Sequence, residues 1–102
     1  MEYNIVNHNT LIFKLSDHQN IDNLDIQEEI KHFIADLSDV KLDTLNLIKN
    51  KLVKFGESIY SMNGSFVVVS RYEFDSKLNI VPTINEAIDF IELEEIERQL
   101  EL

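Results

Sequence analysis

The chain has 102 residues, of which 44% are hydrophobic and none is cysteine, and its formal net charge is −10. This length and composition predict a single domain over residues 1–102 and exclude disulfides, cysteine-ligated metal sites and thiol nucleophiles. The excess of acidic residues disfavours binding to nucleic-acid phosphates, and no apolar run approaches the roughly 20 residues that cross a membrane, so we expect neither kind of partner.

The N-terminal third predicts a hairpin, a short helix and a further strand. The segments "YNIV" and "TLIFKL" are typical of two short strands joined by the asparagine-rich turn "NHN". After a polar loop, "NLDIQEEIKH" predicts a short amphipathic helix. Its candidate inward residues are Leu24, Ile26 and Ile30. The run "HFIADL" then predicts a strand.

The middle of the chain changes to a helical pattern at Asp43. Apolar residues recur three and four positions apart, which predicts a helix of about five turns over residues 44–62. The residues on this face are Leu45, Ile48, Leu52, Phe55, Ile59 and Met62. The dipeptide Asn63-Gly64 indicates the helix end. Residues 65–70, "SFVVVS", predict a central strand that is covered on both faces.

The last third predicts a loop, a short strand and an acidic helix. Residues 71–79 show no period, and "IVP" is typical of a short strand. Thr83 and Glu86 form a T-x-x-E capping box, which predicts a helix from about Ile84 to Leu100. The alternation of strands and helices predicts an α/β fold: a mixed sheet of about five strands, with an antiparallel N-terminal edge, packed by helices.

The predicted C-terminal helix carries two apolar faces instead of one. The first consists of Ile84, Ala87, Ile88 and Ile91 and can cover the sheet. The second consists of Leu93, Ile96 and Leu100, lies rotated about the axis and is flanked by glutamates. It predicts a secondary interaction surface that could support a weak homodimer. The alternative is a bent helix that buries both faces on its own domain.

The chemistry-bearing residues form no recognisable catalytic or metal motif. His8, His18 and His32 lie in three different segments, and no H-E-x-x-H or G-x-S-x-G motif is present. Neither of the two glycines belongs to a phosphate-binding loop. We therefore expect no catalytic residue, no metal and no cofactor, and a protein that is not an enzyme. The absence of cysteines and of an export signal at the N-terminus favours a cytoplasmic location.

Three motifs together resemble STAS domains, the anti-sigma factor antagonist-like family. "FIADLSDVKLDTLNL" is similar to the family's strand ending in D-L-S-x-V/L, followed by D-S-S/T-G-L at a helix start. "MNGSFVVVS" is similar to its G-G-x-L-V-L-V strand, and "IVPTINEAI" to its final strand and helix opening. The tail is also similar to short STAS-like proteins of Bacteroidetes. The resemblance implies a divergent, trimmed, bacterial STAS-like domain, because the family's third helix is mostly missing.

The resemblance implies a regulatory, non-enzymatic module that binds a protein partner, such as an anti-sigma-factor-like kinase or another regulator. Thr44 takes the place of the phosphoacceptor, and Asp43, Leu45, Asn46 and Leu47 take the places of the partner-binding switch loop. Leu45 and Asn46 depart from the family's Ser/Thr and Gly, which favours a module that binds constitutively. From the residues alone, a helix cap at Asp43 also explains this pair. The alternative function is a carrier of a small apolar ligand or lipid.

Overall fold

The computed structural model describes residues 2–15 and 29–100, which form one sheet with a helix on each face. The elements are β1 (Glu2–Val6), β2 (Thr10–Lys14), β3 (His32–Asp36), α1 (Leu42–Ser61), β4 (Phe66–Val69), β5 (Ile80–Val81) and α2 (Ile84–Leu100). None of the described helices is long and apolar enough to pass through a bilayer. Most of the predicted helix "NLDIQEEIKH" lies outside the described residues. Its last residues, 29–32, are not helical: Ile30 is buried in the core, and His32 begins β3.

The sheet has the strand order β1-β2-β3-β4-β5. β1 pairs with β2 antiparallel and the other neighbouring pairs are parallel, so the predicted mixed sheet with an antiparallel N-terminal edge is confirmed. β3 lies in the middle. The prediction that residues 65–70 form the central strand is wrong by one position, because a single two-residue strand, β5, lies beyond β4 in the described sheet.

Successive side chains of the inner strands point to opposite faces of the sheet, and this divides the core into two layers. Phe33 and Ala35 of β3 face α1, whereas Ile34 between them faces α2. In β4, Phe66 and Val68 pack in the α1 layer, and the neighbouring valines pack in the α2 layer. A strand that is covered on both faces must be apolar at every position, which explains the unbroken apolar run of β4.

Helix α1 begins two residues before its predicted start. Its N-cap is Lys41, and the cap makes no side-chain hydrogen bond. Asp43 is therefore not the capping residue, and that interpretation is wrong. Asp43 lies in the first turn, where its carboxylate still interacts favourably with the helix dipole.

The inward face of α1 agrees with the apolar spacing. Leu45, Leu52 and Ile59 are buried, and Ile48 and Phe55 are partly buried against the same cluster. Phe55 makes edge-to-face contacts with three other rings, at centroid distances of 5.1 to 6.2 Å: Phe13, Phe33 and Phe66. A Cβ atom on Gly56 would lie 3.0 Å from Phe66 Cδ2, so the small residue lets α1 approach the sheet closely.

The end of α1 is set by Asn63 and Gly64, as the sequence predicts. Asn63 adopts a φ of 63°, and the Gly64 N–H donates to the Ile59 carbonyl at 3.0 Å. A Cβ atom on Gly64 would overlap the backbone carbonyl of Lys31, so this position requires glycine. Met62, predicted on the inward face, follows the helix end and is exposed.

Helix α2 begins after Thr83, whose Oγ1 accepts a hydrogen bond from the Glu86 N–H at 3.2 Å. Its first apolar face packs on β3 and β4, with Ala87 and Ile91 buried. The second face is exposed: Leu93 by 60%, Ile96 by 52% and Leu100 by 79%. The alternative of a helix that buries both faces on its own domain is therefore wrong.

Candidate functional site

The predicted switch residues lie at the start of α1, where the parallel strands have their carboxyl ends. Asp43 and Asn46 are exposed, and Thr44 is partly exposed in the first turn. Leu47 is 84% exposed. Leu45 is buried in the core, so its predicted role as a partner-contacting residue is wrong. The structure thus brings four of the five residues to one surface.

A recess of about 530 Å³ lies beside these residues, at the carboxyl ends of β4 and β5. It is lined by Leu42, Ser70, Arg71, Tyr72, Glu73, Ile80, Val81 and Pro82. Leu42 and Tyr72 contribute exposed apolar surface to it. The Tyr72 N–H donates to Ser70 Oγ at 3.1 Å, which fixes the bend after β4. In open α/β sheets, this edge is the usual location of binding sites.

The D-L-S segment positions the start of α1 through local hydrogen bonds. Asp36 Oδ1 accepts from the Ser38 N–H at 3.1 Å and from the Ser38 hydroxyl at 2.7 Å. Lys14 Nζ lies 2.7 Å from Asp39 Oδ2 and joins this turn to β2. The hydrogen bond from Lys14 lowers the pKa of the Asp39 carboxyl. These contacts therefore hold the turn that leads into α1 against β2.

A second candidate site lies at the opposite, amino end of the parallel strands, and sequence reasoning missed it. It is a cavity of about 420 Å³ between the β1–β2 turn, the start of β3 and α2. Its lining residues are Asn7, Asn9, Thr10, His32, Ile88, Ile91, Glu92, Glu95 and Ile96. The Asn9 carbonyl accepts from the N–H groups of Lys31 and His32 at 2.9 and 3.0 Å, so the turn is held against β3.

His32 is, with Thr10, one of two buried polar residues among the described residues that line this cavity, and 1% of its surface is exposed. Its Nδ1 accepts a hydrogen bond from the Ser65 N–H at 3.0 Å. A nitrogen that accepts carries no proton, so this bond assigns the neutral tautomer with its proton on Nε2. Nε2 lies 3.5 Å from Glu95 Oε1, and it has no hydrogen-bond partner among the described residues.

Glu95 is held by two cations, Lys31 from the segment before β3 and Arg98 from α2. Lys31 Nζ lies 3.1 Å from its Oε1, and Arg98 Nη1 donates to the same oxygen at 2.7 Å. Arg98 Nη2 in turn donates to the Gly64 carbonyl at 2.7 Å and to Ser65 Oγ at 2.8 Å. This network fixes the last turns of α2 against the segment that leads into β4.

Burial and charge shift both titratable groups of the site in the same direction. Burial lowers the pKa of His32 by more than the Glu95 carboxylate raises it. Burial alone would raise the pKa of Glu95, but the hydrogen bonds from Lys31 and Arg98 outweigh it and lower that pKa. The pair therefore consists of a neutral imidazole and an ionised carboxylate at neutral pH.

A further polar contact joins the two helices around the edge of the sheet. The Tyr60 hydroxyl donates to Glu94 Oε1 at 2.7 Å and accepts from Asn79 Nδ2 at 2.7 Å. Burial, and then the hydrogen bond to Glu94, raise the pKa of Tyr60. Because β5 is short, α1 and α2 can approach each other here.

One feature of the sequence, the polar residue His32 at the start of an apolar strand, indicates the second site. His32 occupies a position of β3 that faces α2, next to an otherwise apolar run, and a polar residue at a buried position requires a partner. Glu95 could not be assigned to it, because α2 returns from a distant part of the chain. Within the residues that the structure describes, no group of three potential ligand side chains could hold a metal ion.

Comparison with known proteins adds no assignment to these sites. No protein-family model and no curated protein matches the chain. The resemblance to STAS domains therefore still rests on the short motifs in the sequence. The mixed five-stranded sheet is compatible with that resemblance, but other α/β domains share this arrangement.

Proposed function

We propose that this chain is a non-enzymatic regulatory module that binds a protein partner at the carboxyl edge of its sheet. One observation carries the proposal: exposed apolar side chains from two separate segments meet at this edge. Leu42, from the first turn of α1, and Tyr72, from the loop after β4, both line the recess, and Leu47 is exposed in the second turn of α1. Single exposed apolar residues are common, but exposed apolar residues from separate segments that line one recess are typical of an interaction surface.

The chemistry of this edge suits a protein better than a small polar ligand. The recess can take an apolar side chain of the partner against Leu42 and Tyr72. Asp43, Arg71 and Glu73 supply a charged, solvated surround. An apolar centre with a polar rim is the usual anatomy of a protein–protein interface. A partner of the anti-sigma-factor type, as the STAS resemblance implies, would dock in this way.

Thr44 is the candidate for regulation within this proposal. It is partly exposed in the first turn of α1, where free N–H groups and the helix dipole favour a phosphate. Phosphorylation would add roughly −1.5 to −2 charges to the docking surface. The exposed Asp43 beside it already carries a negative charge, so the modified surface would become strongly acidic. It would repel an acidic partner, and an apolar partner would bind less well because the phosphate would lose its hydration.

The two alternatives are less well supported. His32 cannot act as a general base through Nδ1, because that nitrogen already accepts a hydrogen bond from the Ser65 N–H. A carrier of a wholly apolar ligand would need an apolar cavity, but the cavity beside His32 also contains the carboxylates of Glu92 and Glu95. The first observation removes one candidate catalytic base, and the second disfavours the lipid carrier.

The proposal is tested by capturing the partner with matched surface variants. Wild-type protein, Leu47→Glu and Leu93→Glu are each expressed with an affinity tag in the native cells, and the recovered proteins are quantified by mass spectrometry. Leu93 is also an exposed leucine but lies on α2, so it controls for the change in charge. We expect a partner that Leu47→Glu loses by about tenfold or more and that Leu93→Glu retains.

The phosphorylation step has its own measurement in the same samples. Intact-mass analysis should find a fraction of the chain heavier by one phosphate, and this fraction should disappear in Thr44→Ala. Thr44→Glu should reduce partner recovery relative to Thr44→Ala. A recovery that is equal for wild type, Leu47→Glu and Leu93→Glu would contradict the docking surface.

A further inference from the structure

We propose that the cavity beside His32 binds a small uncharged molecule that carries a hydroxyl or primary amide group on a compact apolar body. The cavity lies at the amino end of the parallel strands, whereas the proposed protein-docking surface lies at their carboxyl end. The two proposals therefore concern separate surfaces and rest on separate observations.

The walls of the cavity define the apolar body of the ligand. Ile88, Ile91 and Ile96 of α2 form one side, and the β1–β2 turn forms the rim. The volume of about 420 Å³ falls within the roughly 300–1,000 Å³ range of small-molecule sites. A compact ring or a short branched chain therefore suits this space.

His32 provides the hydrogen-bond donor. Because its Nδ1 accepts from the Ser65 N–H at 3.0 Å, its proton lies on Nε2. Nε2 has no hydrogen-bond partner among the described residues, although the side chain is almost completely buried. A buried donor without a partner costs free energy, and a ligand oxygen at this place would remove that cost.

Glu95 provides the acceptor next to that donor. Its Oε1 lies 3.5 Å from Nε2, and the hydrogen bonds from Lys31 and Arg98 keep the carboxylate ionised. Lys31 and Arg98 do not line the cavity, so their positive charges do not face a ligand. His32 and Glu95 therefore place one donor and one acceptor side by side.

This pair selects against other kinds of ligand. A hydroxyl or primary amide can accept from Nε2 and donate to Glu95 at the same time. An ammonium group cannot accept from Nε2, and an anion would meet the carboxylates of Glu92 and Glu95. A hydrocarbon would leave the Nε2 proton unpaired. The geometry thus ranks an alcohol or amide above all three.

The test uses five probes that share one ring: benzyl alcohol, benzamide, toluene, benzylamine and benzoate. Each is titrated into the full chain, with ¹⁵N-labelled histidine and ¹³C-labelled isoleucine methyl groups observed by NMR. We expect saturable shifts of His32 Nε2 and of the Ile88, Ile91 and Ile96 methyl groups. Benzyl alcohol and benzamide should bind at least tenfold more tightly than the other three probes.

Three variants locate the binding. Ile96→Trp should fill the cavity and weaken benzyl alcohol binding at least tenfold, whereas Leu93→Trp, on the neighbouring exposed face of α2, should not. His32→Asn keeps an acceptor for the Ser65 N–H but lacks the Nε2 donor, so it should abolish the preference for benzyl alcohol over toluene. Equal binding of all five probes, shifts confined to other residues, or equal affinity of Ile96→Trp and Leu93→Trp would overturn the proposal.

Discussion

At the scale of single residues, His32 shows how one buried polar group can serve both the fold and a site. Its Nδ1 satisfies the Ser65 N–H, which comes just before β4 and could not reach water. The charges that face the imidazole are Lys31 from the preceding position and Glu94, Glu95 and Arg98 from α2. Because burial outweighs the carboxylates, the pKa of His32 lies below 6.5, its ordinary value.

This lowered pKa predicts a loss of stability in mild acid. As the pH falls, the unfolded chain binds a proton at this histidine before the folded chain does. Its contribution to stability is therefore complete above the unfolded value of 6.5 and is lost as the pH falls toward the lower folded value. Urea denaturation between about pH 7.5 and pH 5.5 should show a falling midpoint.

Two variants separate His32 from the other groups that titrate. His32→Asn should flatten the slope above about pH 5.5, while His8→Asn, at an exposed position of the β1–β2 turn, should keep it. The lowered pKa of Glu95 acts in a lower window: its contribution is complete above its ordinary value of 4.5 and is lost as the pH falls through the folded value. A slope unchanged in His32→Asn would contradict the assignment.

At the scale of elements, the sequence was most informative where one side of an element is apolar. The three-and-four spacing predicted the inward face of α1, and the capping box predicted the start of α2 at Ile84. The start of α1 was missed because Lys41 caps without a side-chain hydrogen bond and so leaves no signal. The central position was wrongly given to residues 65–70, because hydrophobicity indicates burial and not which strand lies beside which.

The candidate sites show the same limit. Leu45 was assigned to the switch loop from its motif position, although the helical spacing already placed it in the core, and the spacing was right. The switch-loop prediction was right for Asp43, Asn46 and Leu47 only in that these residues are exposed in the first turns of α1. The pair of His32 and Glu95 depends on how α2 crosses β3 and β4, and nothing in the local sequence determines that crossing.

The packing of α1 predicts a strong contrast between two leucines of the same helix. Leu52→Asp should prevent stable folding, because Leu52 is buried and an unpaired charge would enter the core. Leu47→Asp should change the free energy of unfolding by no more than about 0.5 kcal/mol, because its side chain is mostly in solvent. Circular dichroism during thermal melting measures both. A cooperative melt at the wild-type temperature for Leu52→Asp would contradict the packing.

At the scale of the whole molecule, charge and apolar surface are distributed unequally between the two helices. The last turns of α2 combine exposed Leu93 and Leu100 with exposed Glu97 between them. The outer side of α1 combines exposed Leu47 with Lys54, two helical turns further on. Two α2 surfaces would bring glutamates together, whereas α2 of one copy and α1 of another are complementary in both charge and apolar contact.

We therefore predict weak, salt-sensitive self-association between α2 of one copy and α1 of the next. Sedimentation velocity should show a coefficient that rises with protein concentration and that falls back when salt is raised from about 50 to 500 mM. Leu93→Glu combined with Leu100→Glu should abolish the rise without changing the melting temperature, since both side chains are exposed and neither lines the cavity beside His32. Met62→Glu, which places the same charge at an exposed apolar residue outside both surfaces, should associate like the wild type. A concentration-independent monomer at low salt would contradict the contact, and a large fall in the melting temperature of the double variant would show that this stripe stabilises its own domain.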